Sequence, residues 1–104
     1  MVARSEIWWV EHPDAGRRPF LVLTRQAAIP HLNAFLAVPA TRTIRGIPTE
    51  VMLDKGDGMP DECALSFDNT TLVPKELFQE RITRLNVERM SEVCRALAIS
   101  AGCS

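Results

Sequence analysis

EIWWVEHPDAGRRPFLVLT, residues 6–24, reads as two short strands and the turn that joins them. Residues 6–11 (EIWWVE) are aromatic and β-branched, a composition that fits a pleated, half-buried surface. Residues 12–18 (HPDAGRR) hold Pro and Gly and predict a break. A second apolar strand is expected over 19–24 (PFLVLT), opened by a proline that suits a strand's first position. Trp8 and Trp9 are neighbours on a strand, so they must point to opposite faces, one to the core and the other to a groove or subunit face.

Outward from this hairpin the pattern repeats. After a polar or weakly helical connection over 25–33, residues 34–38 (AFLAV) form a third apolar run. PATRTIRGIP (39–48) is basic and rich in hydroxyls, and TEVML (49–53) alternates as a half-buried strand does. KGDGMP (55–60) is a turn; short strands are expected at 62–66, 70–73 and 81–85, with one helical turn behind Pro74. Many short strands with close turns predict a small, strongly bent β-barrel, because closure removes exposed edges. The C-terminus differs. Asn86 is an N-cap, Leu85 and Met90 fit a hydrophobic staple, and Gly102 can end a helix. Val87, Met90, Val93, Cys94, Leu97, Ala98 and Ala101 follow helical spacing, which predicts one amphipathic helix packed on the barrel.

The chain of 104 residues, 46% hydrophobic and 24% charged, is expected to form one domain across residues 1–104. No apolar run exceeds residues 34–38, and MVARSE lacks the apolar stretch of a signal peptide, so a cytoplasmic address is the expectation. Cys63, Cys94 and Cys103 are odd in number and show no metal-like spacing; reduced structural thiols are expected, with neither metal nor cofactor.

The net charge of -1 conceals a polarised chain. Residues 15–49 contain Arg17, Arg18, Arg25, Arg42 and Arg45 and no Asp or Glu, whereas residues 50–68 carry six acids against Lys55 alone. Guanidinium presents a planar fork of donors suited to phosphate and stacks on bases. An acid-free, arginine-only segment in an otherwise acidic chain points to a localised groove for an anionic partner.

At GRRPFLVLTR (16–25), VPATRTIRGIPTEV (38–51) and FDNTTLVPKELFQERITRLNVERMSEVCRAL (67–97) the sequence resembles the MazF/PemK family of toxin-antitoxin ribonucleases. The likeness runs over nearly the whole chain and keeps the order of the blocks. It implies an SH3-like barrel with a C-terminal helix, a homodimer, metal-independent cleavage of single-stranded RNA and neutralisation by a cognate antitoxin. Arg18 before Pro19 matches the family's catalytic arginine, and Thr41 its catalytic Thr or Ser. Thr43, Arg45 and the 47–49 block (IPT) match the loop beside the RNA groove. Where many members read Asp-Gln-Ile-Arg-Thr, this chain reads Asp68-Asn69-Thr70-Thr71-Leu72, so a contact from that arginine is not carried over.

Cutting RNA without a metal means that the ribose 2′-OH attacks phosphorus, and the site must gather charge on the phosphoryl oxygens. Arg18, with Arg17 beside it, suits that task. Thr41 can hydrogen-bond a phosphoryl oxygen or orient the 2′-OH. A guanidinium is a poor base, so His12 and Glu11 are the candidates for proton transfer. Arg17, Arg42 and Arg45 read as a phosphate rail, with Thr43 and Asn69 as further RNA contacts. Two other readings compete: a noncatalytic toxin of the same fold that binds a protein such as DNA gyrase, and an SH3-like adaptor, which a chain without Tyr suits poorly.

Overall fold

The computed structural model describes residues 1–14 and 16–103; Ala15, in the expected first turn, and Ser104 lie outside the described residues. Strands β1 (Glu6–His12), β2 (Gly16–Val22), β3 (Ala34–Thr41), β4 (Glu50–Leu53), β5 (Cys63–Ser66), β6 (Thr71–Pro74) and β7 (Phe78–Arg84) precede one helix, α1 (Val87–Ser100). All pairings are antiparallel, in the order β4-β5-β3-β2-β1-β7, with β6 on β3. The sheet curls around a core that takes Ile7, Leu21, Val38, Val51 and Leu65 from five strands and Val93 and Ala96 from α1. This is the small bent barrel with a C-terminal helix expected from the sequence. The other face of the sheet carries a second cluster, Val10, Phe20, Val22, Phe35, Ala37, Val73 and Phe78.

Strand limits agree with expectation to within two residues except at three places, each displaced by three. β2 begins at Gly16, not at Pro19, so Arg17 and Arg18 are strand residues rather than part of a break. Pairing explains this: Glu11 faces Arg17 and Val10 faces Arg18 across the β1–β2 ladder, and that backbone pairing supports a strand that apolar patterning misses. β3 runs on to Thr41 because β5 pairs with its last two residues, Ala40 to Leu65 and Thr41 to Ala64. β7 starts at Phe78, just after a 3-10 turn at Lys75–Leu77. The connection over 25–33 contains a 3-10 helix, Gln26–His31.

β5 and β6 lie along the same edge of β3. β6 faces its first half, Ala34 to Pro74 through Ala37 to Thr71, and β5 faces its end. The two registers differ by three residues, taken up by the 3-10 turn Phe67–Asn69.

α1 starts as expected, with the Asn86 side chain accepting from the Arg89 N–H at 2.8 Å. Gly102, at φ +72°, ends it in a Schellman arrangement: the Cys103 N–H reaches the Ala98 carbonyl and the Gly102 N–H reaches Ile99. The buried stripe is Met90, Val93, Ala96 and Leu97. Val87 is 82% exposed and Cys94 is exposed, so the apolar face is narrower than the sequence spacing predicts. Cys63 is buried as expected of a structural thiol; Cys94 and Cys103 are free and exposed, which corrects that reading for both.

A tight turn binds the barrel's end to the helix. The Asp57 carboxylate accepts from Arg89 Nε at 2.9 Å and from the Asp54 N–H at 3.0 Å, while its carbonyl accepts from the Thr83 hydroxyl at 2.9 Å. The Asp57 side chain is 8% exposed. Its carboxyl is held below the ordinary carboxylate range, chiefly by the hydrogen bond from Arg89. A depressed carboxylate contributes stability that is present above its unfolded-state pKa and is lost as pH falls through its folded-state value. Acidification from pH 6 to pH 3 is therefore expected to cost about 1 kcal/mol more in the parent than in Asp57→Asn, read by urea unfolding. Parallel losses in the two proteins would remove Asp57 from this role.

Candidate active site

Strand alternation sends Arg17 and Arg18 to opposite faces of β2. β2 and β3 pair Phe20 with Pro39, and two further residues along that register bring Arg18 level with Thr41, the last residue of β3. Around this rung lie two clefts. The first, about 430 Å³, is lined by Trp9, Arg17, Arg18, Pro19, Ala40, Thr41, Arg42, Thr43 and the 59–63 segment. The second, about 420 Å³, is lined by His12, Arg18, Phe20, Pro39, Thr41, Thr43, Arg45, Glu50, Ser66, Asn69 and Thr71. Arg18, Thr41 and Thr43 line both, so the expected catalytic pair stands on the shared rim.

Hydrogen bonding sets what each group offers. The Thr41 Oγ1 accepts from the Thr43 N–H at 3.1 Å, which anchors the hydroxyl and leaves its own proton to donate. His12 Nδ1 accepts from the Asp14 N–H at 3.2 Å, and its ring stacks on Phe20 at 6.1 Å between centroids, 10° from parallel. A backbone N–H can only donate, so the neutral imidazole carries its proton on Nε2 and presents a donor. Glu11 is exposed and lines neither cleft; of the two acid–base candidates only His12 reaches the site.

The arginines divide into two kinds. Arg17 lies over the Trp9 ring, 4.7 Å from its centroid, and reaches Glu80 at 3.6 Å. Arg42 pairs with Asp61 at 3.0 Å. Both ion pairs are solvent-exposed and therefore weak. Among the described residues Arg18 and Arg45 make no ion pair, and both line the second cleft. Of the expected rail, Arg17 and Arg42 already have carboxylate partners and Arg45 alone is uncommitted, beside the equally uncommitted Arg18. Arg25, of the same acid-free segment, lines neither cleft.

The sequence reading missed the carboxylates Glu50, Asp61 and Glu62, which line the clefts, together with Ser66 and Thr71. Glu50 had one visible signal: it is the first acid after the acid-free segment, five places after Arg45. Cys63 lines the first cleft, but burial, with Asp57 and Asp61 nearby, pushes its thiol above the ordinary range and keeps it protonated. That is the wrong direction for a nucleophile. Among the described residues no group of three or more His, Cys, Asp or Glu is placed to hold a metal ion, and no helix is long and apolar enough to cross a membrane.

Residues 3–101 match the family described as PemK-like, MazF-like toxin of type II toxin-antitoxin system. The chain is 43% identical over 103 residues to a probable endoribonuclease, MazF5, of Mycobacterium tuberculosis, covering 98% of this chain and 94% of that one. Among solved structures, the Mycobacterium tuberculosis toxin MazF-mt6 superposes with a TM-score of 0.88 at 28% identity, over 95% of this chain and 98% of that one. An endoribonuclease in complex with its cognate antitoxin, from a mycobacterial species, gives a TM-score of 0.90 at 23% identity, over 100% and 98%, a likeness of fold.

Proposed function

Because the chain belongs to the PemK-like, MazF-like toxins of type II toxin-antitoxin systems, we infer that it is an endoribonuclease whose reaction centres on Arg18 and Thr41. The observation that carries this reading is the shared rim: the two residues matched to the family's catalytic pair line both clefts. A single strand laid over that rim places one phosphate against Arg18 and its two neighbouring nucleotides in different clefts. Single-strandedness follows, since stacked and paired bases cannot splay apart in this way.

The substrate supplies the nucleophile. The 2′ oxygen attacks the adjacent phosphorus, the bond from phosphorus to the 5′ oxygen breaks, and one proton passes in net from the 2′ to the 5′ oxygen. The products carry a 2′,3′-cyclic phosphate and a 5′-OH, and the step calls for no metal. Arg18 faces the charge that grows on the phosphoryl oxygens, and its place inside a paired strand fixes its aim. The Thr41 hydroxyl donates to the same oxygens. His12 Nε2–H is the donor for the second cleft. Arg45, Thr43 and Asn69, with Arg17 and Arg42 on the other side, hold the flanking phosphates and bases. Trp9, already covered by a guanidinium, is a platform on which a base can replace Arg17.

An acidic antitoxin segment would find the same cations and exclude RNA by occupying them. The toxin is proposed to act as a homodimer. Leu36 and Leu72, opposite one another on β3 and β6 and both exposed, supply an apolar contact for it, and sedimentation of the purified protein reads its mass.

The test is incubation of the purified protein with a long unstructured RNA in excess EDTA. Discrete cuts with 2′,3′-cyclic ends are expected, and a 2′-deoxy substitution at the cut should abolish them. Binding of that uncleavable strand should weaken with salt at a logarithmic slope of about -1.4 from Arg18 and Arg45, the two arginines without a carboxylate partner, steeper if Arg17 and Arg42 exchange theirs for phosphate, and reduced by about 0.7 in Arg45→Ala. Cutting only when divalent metal is restored would reject the mechanism. No cutting of any RNA would favour the noncatalytic toxin.

A further inference from the structure

The loop that carries Arg42, Thr43 and Arg45 has almost no apolar packing. Residues 42–48 are all exposed and belong to no strand or helix. Polar ties shape it, and one side chain makes two of them: Glu50 Oε1 accepts from the Arg45 N–H and from the Gly46 N–H, each at 3.0 Å. Gly46 sits at φ +68°, a left-handed conformation in which the chain leaves the clamped amides and which glycine adopts without strain. The Glu50 N–H in turn holds the Ile47 carbonyl at 3.0 Å. Glu50 itself is fixed, because it opens β4 and pairs with Ser66 of β5.

A carboxylate in an RNA-binding cleft is at first sight a defect, since it repels phosphate. Its placement gives it a use. We propose that Glu50 is a positioning residue: its carboxylate clamps the Arg45–Gly46 backbone and so holds Arg45 and Thr43 in the shape that RNA meets. The clamp rests on the functional reading above. It acts through binding, because ordering an otherwise free loop before contact removes an entropy cost that the substrate would have to offset. A glutamine keeps an oxygen acceptor for both N–H groups and removes the negative charge, whereas alanine removes the clamp.

The experiment compares the parent protein with Glu50→Gln, Glu50→Ala and Gly46→Ala. It measures cleavage kinetics on a short single-stranded RNA, affinity for its 2′-deoxy analogue, and amide hydrogen exchange at residues 45 and 46. Glu50→Ala is expected to raise KM and Kd about tenfold with kcat within threefold, and to speed exchange at both amides. Glu50→Gln is expected to restore KM and Kd to the parent's value or below it, with exchange still slow. Gly46→Ala has open space for its methyl but an unfavourable φ, so it should weaken binding in the same direction; it carries the test if Glu50→Ala fails to fold.

Loss of kcat in Glu50→Gln equal to that in Glu50→Ala would overturn the clamp in favour of a chemical role for the carboxylate. Unchanged KM, Kd and exchange in Glu50→Ala would overturn it outright. A parent that binds but never cuts RNA rejects the ribonuclease reading alone, and Kd and exchange still decide the clamp. A parent that neither binds nor cuts RNA overturns both.

Discussion

Arg18→Ala is expected to lower the single-turnover rate of RNA cleavage by about 10²–10³-fold, the range seen when one preorganised donor to a developing oxyanion is removed. Arg18 is exposed on β2 and makes no ion pair among the described residues, so the melting temperature should move by only a few degrees. Arg18→Lys restores the charge without the fork and should recover only part of the rate. Thr41→Ala removes one neutral donor and loosens the Thr43 anchor, which predicts a smaller loss, about tenfold or somewhat more. Rates within threefold of the parent in Arg18→Ala would place the chemistry elsewhere.

Gly58→Ala carries the largest expected effect on stability. Gly58 closes the turn after Asp57 at φ +92°, and a Cβ there would lie 2.3 Å from Thr83 Oγ1 and 2.8 Å from Thr83 Cβ. Thr83 cannot swing away without giving up its bond to the Asp57 carbonyl, and a β-branched side chain has few other rotamers. A loss of about 3 kcal/mol is expected, or roughly 10 °C or more in Tm. Gly102→Ala is the control: its φ of +72° is equally unfavourable, but among the described residues no atom lies within 4 Å of the added methyl, so about 1 kcal/mol is expected. Equal melting shifts for the two would mean that the close approach to Thr83 contributes nothing.

Much of the fold was legible because its cues are local. Asn86, Leu85, Met90 and Gly102 announce α1 within a few residues of its ends, and 19–24, 34–38 and 49–53 announce strands by composition. The candidate site was legible through the family resemblance, which singles out Arg18 before Pro19 and Thr41 in Ala40-Thr41-Arg42. The limits of β2 and β3 were not legible, since both strands continue through residues whose reason for pairing lies on another strand. The same holds for Glu50, Asp61 and Glu62. Their nearness to Arg18 follows from β5 pairing with β3 and β4 with β5, a matter of register that no residue announces alone. The arginine rail was half legible: sequence supplied the cations, while the carboxylates beside Arg17 and Arg42 come from β7 and from the loop before β5.

The joint at Phe67–Asn69 separates two jobs along one edge of β3. On one side β5 locks the rung that holds Thr41; on the other β6 serves the far end of the barrel, and Asn69 at the joint faces the second cleft. On the proposed binding mode, substitutions or small length changes at this joint are expected to alter which bases the cleft accepts, or to shift β6, while the β3–β5 pairing at Thr41 stays as it is. On the same reading, the joint lets the accepted sequence change while the reacting pair keeps its place.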